Sequence, residues 1–262
     1  MIMVTMQYPI DGTTLVYDDM GAGPEVLLLH GIMADRTALS SVAESLSATH
    51  RVLNVDLRGH GDSDVAEDYE LASFAHDIAA LLLVTGLTRP TVVGWSMGGS
   101  IAMDLALRYP EIMGRLVLVG STPCLVQRAD WATALSVDAA AGLRQLLATD
   151  WREGATAFTA QVVSDGDAMT QTEYRRMALR AREDVTLACF DSVGAVDLRA
   201  RLGNVHIPAA TIVGGEDRVC PPGASEYLAR ELGGTHHVIV DAGHAPFLTR
   251  HEEFMERLRP LL

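Results

Sequence analysis

Nowhere in this 262-residue chain do some 18 apolar residues run together, roughly the length a membrane-crossing helix needs, so no membrane span is expected. The opening Met1-Ile2-Met3-Val4-Thr5 has neither the basic start nor the apolar core of a secretory leader, and a cytoplasmic protein is the expectation. Cysteine is scarce. Cys124, Cys189 and Cys220 are odd in number and far apart, which gives neither a disulfide framework nor the paired spacing of a zinc site, so they read as reduced packing thiols. Basic residues are also in short supply, 20 against 34 acidic ones, for a net charge of -14. No nucleic-acid or membrane partner is expected of such a surface. A nicotinamide-binding G-x-G-x-x-G should open the first βα turn, yet Gly21-Ala22-Gly23 precedes its strand. A phosphate loop needs Gly-Lys-Ser/Thr, whereas Gly98-Gly99 runs into Ser100, and no zinc-protease helix motif occurs.

What is present is a soluble, enzyme-like composition, 48% hydrophobic with only 5% aromatic residues, on a length that suits one large α/β domain. Two apolar stretches around Asp11-Gly12-Thr13 predict a hairpin. Then short apolar runs alternate with helical periodicity: Val26-Leu27-Leu28-Leu29, a helix over 39–46, Val52 to Asp56, a helix over 73–84, Val92-Val93, a helix from Ile101, and Leu116 to Val119. Runs apolar on both faces belong to a parallel sheet covered by helices on each side, so a doubly wound sheet is expected. The alternation breaks at Ser121-Thr122-Pro123 and resumes at Ala209 to Val213. Residues 121–190 therefore read as a helical cap inserted into a core made of 1–120 and 191–262.

The chain is organised around Gly94-Trp95-Ser96-Met97-Gly98, a G-x-S-x-G on a strand that turns sharply into a helix. Small neighbours let the chain fold tightly enough to hold the serine at the tip, and the helix directs its positive end at that serine. Catalytic groups in open α/β sheets gather past the carboxyl ends of strands. Asp217 follows the strand ending at Val213, with Glu216 as its competitor, and His244 follows the strand ending at Val240 in the small-residue loop Ala242-Gly243-His244-Ala245-Pro246. The order Ser96, Asp217, His244 is that of a hydrolase triad on this kind of sheet. The other histidines read as ordinary: His30 and His60 as backbone-bonding rings in glycine loops, His236 and His237 as strand neighbours facing opposite ways.

On these motifs the chain resembles the α/β-hydrolase superfamily over its whole length. The resemblance implies an α/β-hydrolase fold, a serine nucleophile, and an oxyanion hole made by the backbone N–H groups of Ile32 and Met97. Further stretches resemble the pimeloyl-[acyl-carrier protein] methyl ester esterases of biotin synthesis: Gly94-Trp95-Ser96-Met97-Gly98-Gly99, Ser121-Thr122-Pro123-Cys124 with Asp130-Trp131, Ala195-Val196-Asp197-Leu198-Arg199, and Gly243-His244-Ala245-Pro246-Phe247. That resemblance implies a carboxylesterase working through an acyl-enzyme, with no metal or organic cofactor. The acyl chain is expected in a slot of Ile32, Trp95 and Met97. The family often has tryptophan where this chain has Ile32. Its acidic carrier protein would need a local basic surface, and Arg144, Arg152, Arg175, Arg176, Arg180 and Arg182 in the cap are the expected docking residues. An enol-lactone hydrolase or general carboxylesterase of the same fold, and a hydrolase-shaped binding protein without turnover, stay open as alternatives.

Overall fold

The computed structural model describes residues 3–10 and 12–262. Asp11, the centre of the expected hairpin turn, and Met1 and Ile2 of the opening segment lie outside the described residues. In chain order the elements are β1 (Met3–Ile10), β2 (Thr13–Gly21), β3 (Glu25–Leu29), α1 (Ser40–Ser47), β4 (Arg51–Val55), α2 (Leu71–Thr85), β5 (Thr91–Trp95), α3 (Met97–Arg108) and β6 (Arg115–Val119). The cap follows as α4 (Val137–Thr149), α5 (Trp151–Val162), α6 (Ala168–Ala178) and α7 (Glu183–Ala195). The chain then returns to the sheet with β7 (Ala209–Gly214), α8 (Pro222–Glu231), β8 (Thr235–Ile239), α9 (Pro246–Thr249) and α10 (His251–Leu258).

The strands form one eight-stranded sheet in the order β1-β2-β4-β3-β5-β6-β7-β8. From β4 to β8 every neighbouring pair is parallel, and β1 and β2 extend the edge antiparallel. The alternation of side chains explains how so apolar a strand is accommodated. Leu27 and Leu29 of β3 join a core with α2 and α3, while Val26 and Leu28 point to the other face and join one with α1 and α10. All four are at most 1% exposed. The expected fold class, a mostly parallel sheet with helices on both faces, is the one observed.

The cap helices begin where short polar side chains can satisfy their free N–H groups. Ser136, Asp150 and Asp167 accept from the backbone N–H of Ala139, Glu153 and Thr170, at the starts of α4, α5 and α6. The boundary expected at 190/191 falls inside α7, which continues to Ala195. No turn residue interrupts that helix at Phe190, and Cys189 and Val193 keep their places in the core.

β3 and β5 are adjacent, and the chain leaves them toward opposite edges of the sheet. The crevice past their carboxyl ends is the place where such a sheet offers room for a ligand.

Candidate active site

Ser96 sits directly after β5, at φ 55° and ψ -119°. Those angles are in a sparsely populated region for a residue with a side chain, and the strain is held in place by its surroundings. The Ser96 N–H donates to the Val119 carbonyl at 2.9 Å, and the Ser96 carbonyl accepts from Gly99 and Ser100 as α3 begins. Gly98 makes the turn possible, because a Cβ there would overlap the carbonyl oxygens of Leu29 and His30.

Asp217 lies just beyond β7 and His244 just beyond β8, both buried, at 3% and 1% exposure. His244 Nδ1 and Asp217 Oδ2 are 2.8 Å apart. The other carboxylate oxygen accepts from the N–H groups of Val219 and Cys220 at 2.9 and 2.8 Å. Asp217 is thus anchored by main chain on one side and faces the imidazole with the other. With Nδ1 donating to the carboxylate, Nε2 carries the lone pair. That Nε2 is buried and has no hydrogen-bond partner among the described residues. Glu216, the competing carboxylate, is exposed.

Trp95 was expected to wall the acyl slot, and the structure corrects this. Its indole is 1% exposed, packs edge-on to Phe247 at 4.9 Å between ring centroids, and donates from Nε1 to the His244 carbonyl at 2.9 Å. As the last residue of β5 it faces away from the crevice and into the core, where it supports the histidine loop from beneath.

The other two expected slot residues, Ile32 and Met97, do line a cavity at Ser96, roofed by Leu125, Phe158 and Phe190 from the cap segment. Its free space is about 30 Å³, enough for one or two waters. Cys220 also lines it, and burial, with the charge of Asp217 adding to it, pushes that thiol well above its ordinary pKa. The thiol is a neutral wall. The Met97 N–H opens α3 and so has no intrahelical acceptor. The Ile32 N–H belongs to a turn that continues into Met33 at φ 59°, and neither N–H has a hydrogen-bond partner among the described residues. Both are therefore free to donate to an oxyanion.

Behind that turn His30 Nδ1 donates to the Gly31 carbonyl and Nε2 accepts from the Leu57 N–H, while His60 Nδ1 bonds to the Arg58 carbonyl. Burial drives the pKa of His30 down to about 4. For His60, burial followed by the neighbouring His30 ring drives it to about 3. Both are neutral struts. A larger cavity of about 250 Å³ adjoins them, between Arg36, His60 and Arg180. Its cations are already paired, Arg36 with Asp18, Asp56 and Asp62, and Arg180 with Asp35 at 2.9 Å.

The six cap arginines do not form one free cluster. Arg144 is held by Asp191 at 2.5 Å, Arg182 by Asp184 at 2.8 Å, and Arg180 by Asp35. Arg152 on α5 and Arg175 and Arg176 on α6 are exposed and have no ion-pair partner among the described residues. No local pattern could have announced the Arg180 pairing, since Asp35 lies 145 residues away, whereas Asp184 is two residues from Arg182. No helix is long and apolar enough to cross a membrane among the described residues.

Residues 24–251 match the family described as alpha/beta hydrolase fold. The chain is 36% identical to a pimeloyl-[acyl-carrier protein] methyl ester esterase of Nitrosomonas europaea, over 90% of this chain and 94% of that one. It is 31% identical to the protein of that name from Aeromonas salmonicida, over 91% and 95%. Among solved structures, an esterase from Exiguobacterium antarcticum superposes with a TM-score of 0.91 at 27% identity, covering 95% of each chain.

Proposed function

From the premise that the chain belongs to the α/β hydrolase fold family and, within it, to that of the pimeloyl-[acyl-carrier protein] methyl ester esterases, we propose that it hydrolyses the methyl ester of a pimeloyl chain carried on acyl carrier protein. The observation that carries the reading is the buried His244 and Asp217 pair, whose remaining ring nitrogen has no partner among the described residues, together with a strained serine lining an apolar cavity.

In this reading Ser96, His244 and Asp217 are the catalytic residues. With ester bound, the Ser96 hydroxyl meets His244 Nε2, a contact that a free enzyme commonly leaves open. The imidazole takes the proton as the serine oxygen attacks the ester carbonyl, and Asp217 stabilises the imidazolium. The carbonyl oxygen, now negative, rests on the N–H groups of Ile32 and Met97. Collapse of this intermediate expels methanol, protonated by His244, and leaves the acyl chain on Ser96. Water then attacks by the reverse course, giving up its proton to His244, and the free carboxylate departs. Each step needs only side chains and backbone already present. The cavity is too small for a seven-carbon chain as it stands, so substrate entry requires Phe158 and Phe190 of the cap to move outward.

For carrier docking we assign the unpaired Arg152, Arg175 and Arg176, with Arg144, Arg180 and Arg182 contributing only if their present partners release them. A local basic patch can attract an acidic protein that the whole chain would repel. The deciding experiment compares pimeloyl-carrier-protein methyl ester with free short methyl esters, before and after Arg175→Glu and Arg176→Glu. The expected result is a lower KM for the carrier-linked ester that rises at least tenfold in the double variant, at unchanged turnover of free esters. Equal KM values for carrier-linked and free esters, unaffected by the reversals, would contradict the substrate assignment. They would favour a general carboxylesterase, a reading that the missing aromatic wall at Ile32 supports.

A further inference from the structure

Two links between cap helices are pinned to the core by ion pairs. Asp165 lies in the link between α5 and α6, and Arg180 in the link between α6 and α7. Asp165 Oδ2 faces Arg250 Nη1 at 3.5 Å, and Arg180 Nη2 donates to Asp35 Oδ2 at 2.9 Å. Both core partners sit on segments that carry the proposed catalytic groups: Asp35 is three residues past Ile32, and Arg250 six residues past His244. The helices on the outer sides of these links, α5 and α7, bring Phe158 and Phe190 over the cavity at Ser96. Those rings must move for an acyl chain to enter, and the pins oppose that movement.

The two pins differ in what can undo them. The Asp165 side chain is 11% exposed and is packed against Gly243 beside the histidine. Arg180 is 62% exposed, and a single N–H of its guanidinium goes to Asp35, so most of its donors face water. Asp35 does not depend on Arg180 alone. Its Oδ1 accepts from the Thr37 N–H at 2.9 Å and from the Thr37 hydroxyl, and it lines the cavity of about 250 Å³, which has room for water. Arg180 also shares a surface groove of about 400 Å³ with Arg176, next to Arg175, and those two exposed arginines have no ion-pair partner among the described residues. Glu173 in the same groove offsets one of the three charges. A carboxylate that meets a guanidinium through two parallel bonds outcompetes one that receives a single bond.

We propose that Arg180 is an exchangeable latch: it fastens the cap to the core through Asp35, and turns outward to a carboxylate of an acidic carrier protein seated on Arg175 and Arg176, so that docking unfastens the cap over Ser96. The inference rests on the carrier-linked reading of the site and adds how a partner on the surface admits substrate to the interior. A free ester has no carboxylate partner to offer Arg180 and must wait for the pair to open unaided.

The test compares methyl butyrate with pimeloyl-carrier-protein methyl ester on the wild-type chain, Asp35→Asn and Arg180→Gln. Asparagine keeps an oxygen for Thr37 while losing the charge that holds Arg180. Both variants enlarge the open fraction, which lowers the apparent KM for methyl butyrate, by about two- to fivefold for an ion pair with one exposed member. The carrier-linked ester separates them: its KM is expected to fall in Asp35→Asn, where Arg180 is already free for the partner, and to rise in Arg180→Gln, where it is gone. Arg180→Gln alters an exposed side chain, so its opposite effects on the two esters carry the test even where Asp35→Asn fails to fold. An unchanged methyl butyrate KM in the variants overturns the latch while the esterase reading stands, and a carrier-ester KM that moves the same way in both overturns the exchange. If the wild-type chain shows equal KM for the two esters the carrier reading fails, and if it cleaves neither the esterase reading fails; the exchange falls with either.

Discussion

Replacing Asp217 by asparagine separates the chemistry of the site from its architecture. Asparagine keeps an oxygen in the place of Oδ1, so the N–H groups of Val219 and Cys220, at 2.9 and 2.8 Å, retain their acceptor. What changes is the group facing His244 Nδ1 at 2.8 Å. An amide donates there instead of accepting, which drives the ring to the tautomer with hydrogen on Nε2 and leaves no lone pair for the serine proton. The same exchange in a serine protease triad lowers kcat by about 10⁴, and a loss of that order is expected here. The cost in stability is small, on the order of 1 kcal/mol, because two charge-assisted bonds become neutral ones. At about 2–4 °C per kcal/mol for a chain of this size, the thermal midpoint falls by only a few degrees. Asp217→Ala, by contrast, strands two buried N–H groups at about 1–3 kcal/mol each and melts far lower. Steady-state hydrolysis of a methyl ester and a thermal melt on the same preparations measure both effects. A kcat for Asp217→Asn within tenfold of the wild type would refute the reasoning.

Further outcomes are expected elsewhere. Trp95→Phe removes the donor to the His244 carbonyl and should lower kcat and the melting temperature while leaving KM across chain lengths unchanged, since the indole is off the cavity; a KM that shifts with chain length would count against the corrected role. Gly243→Ala places a Cβ 2.6 Å from Asp165 Oδ1, on a carboxylate already held by Arg250 at 3.5 Å. The expected loss is about 1–3 kcal/mol, mostly recovered by adding Asp165→Ala, and a single variant that melts with the wild type would contradict it. His30 and His60 titrate near 4 and 3 in the folded chain against about 6.5 when unfolded. The unfolded chain therefore binds the extra protons, and stability, complete above about pH 6.5, falls as pH drops from there toward 4, by up to about 1.4 kcal/mol per pH unit per ring. His60→Gln should make the decline in urea midpoint between pH 7 and pH 5 shallower, and an unchanged slope would refute the assignment.

The sheet was legible because short apolar runs such as Val26 to Leu29, ambiguous by periodicity alone, are bounded by Gly23-Pro24 and His30-Gly31 and alternate with helical stretches. Ser96 announced itself through its glycine neighbours, and Asp217 and His244 through loops at strand ends. What stayed hidden depends on neighbours far along the chain. The burial of Trp95 is decided by Phe247 and the histidine loop. The availability of Arg180 and Arg144 is decided by Asp35 and Asp191, 145 and 47 residues away. The helix that passes the expected boundary at 190/191 runs on to Ala195 because Asp191 to Ala195 carry no break in helical spacing.

The covalent step is tested most directly by intact-mass measurement of the protein quenched during turnover of the methyl pimeloyl ester. The account predicts a fraction of the chain heavier by the acyl group, with the added mass mapping to the peptide that contains Ser96 and absent from Ser96→Ala. Turnover that persists in Ser96→Ala, with no acyl mass on the wild-type chain, would contradict it.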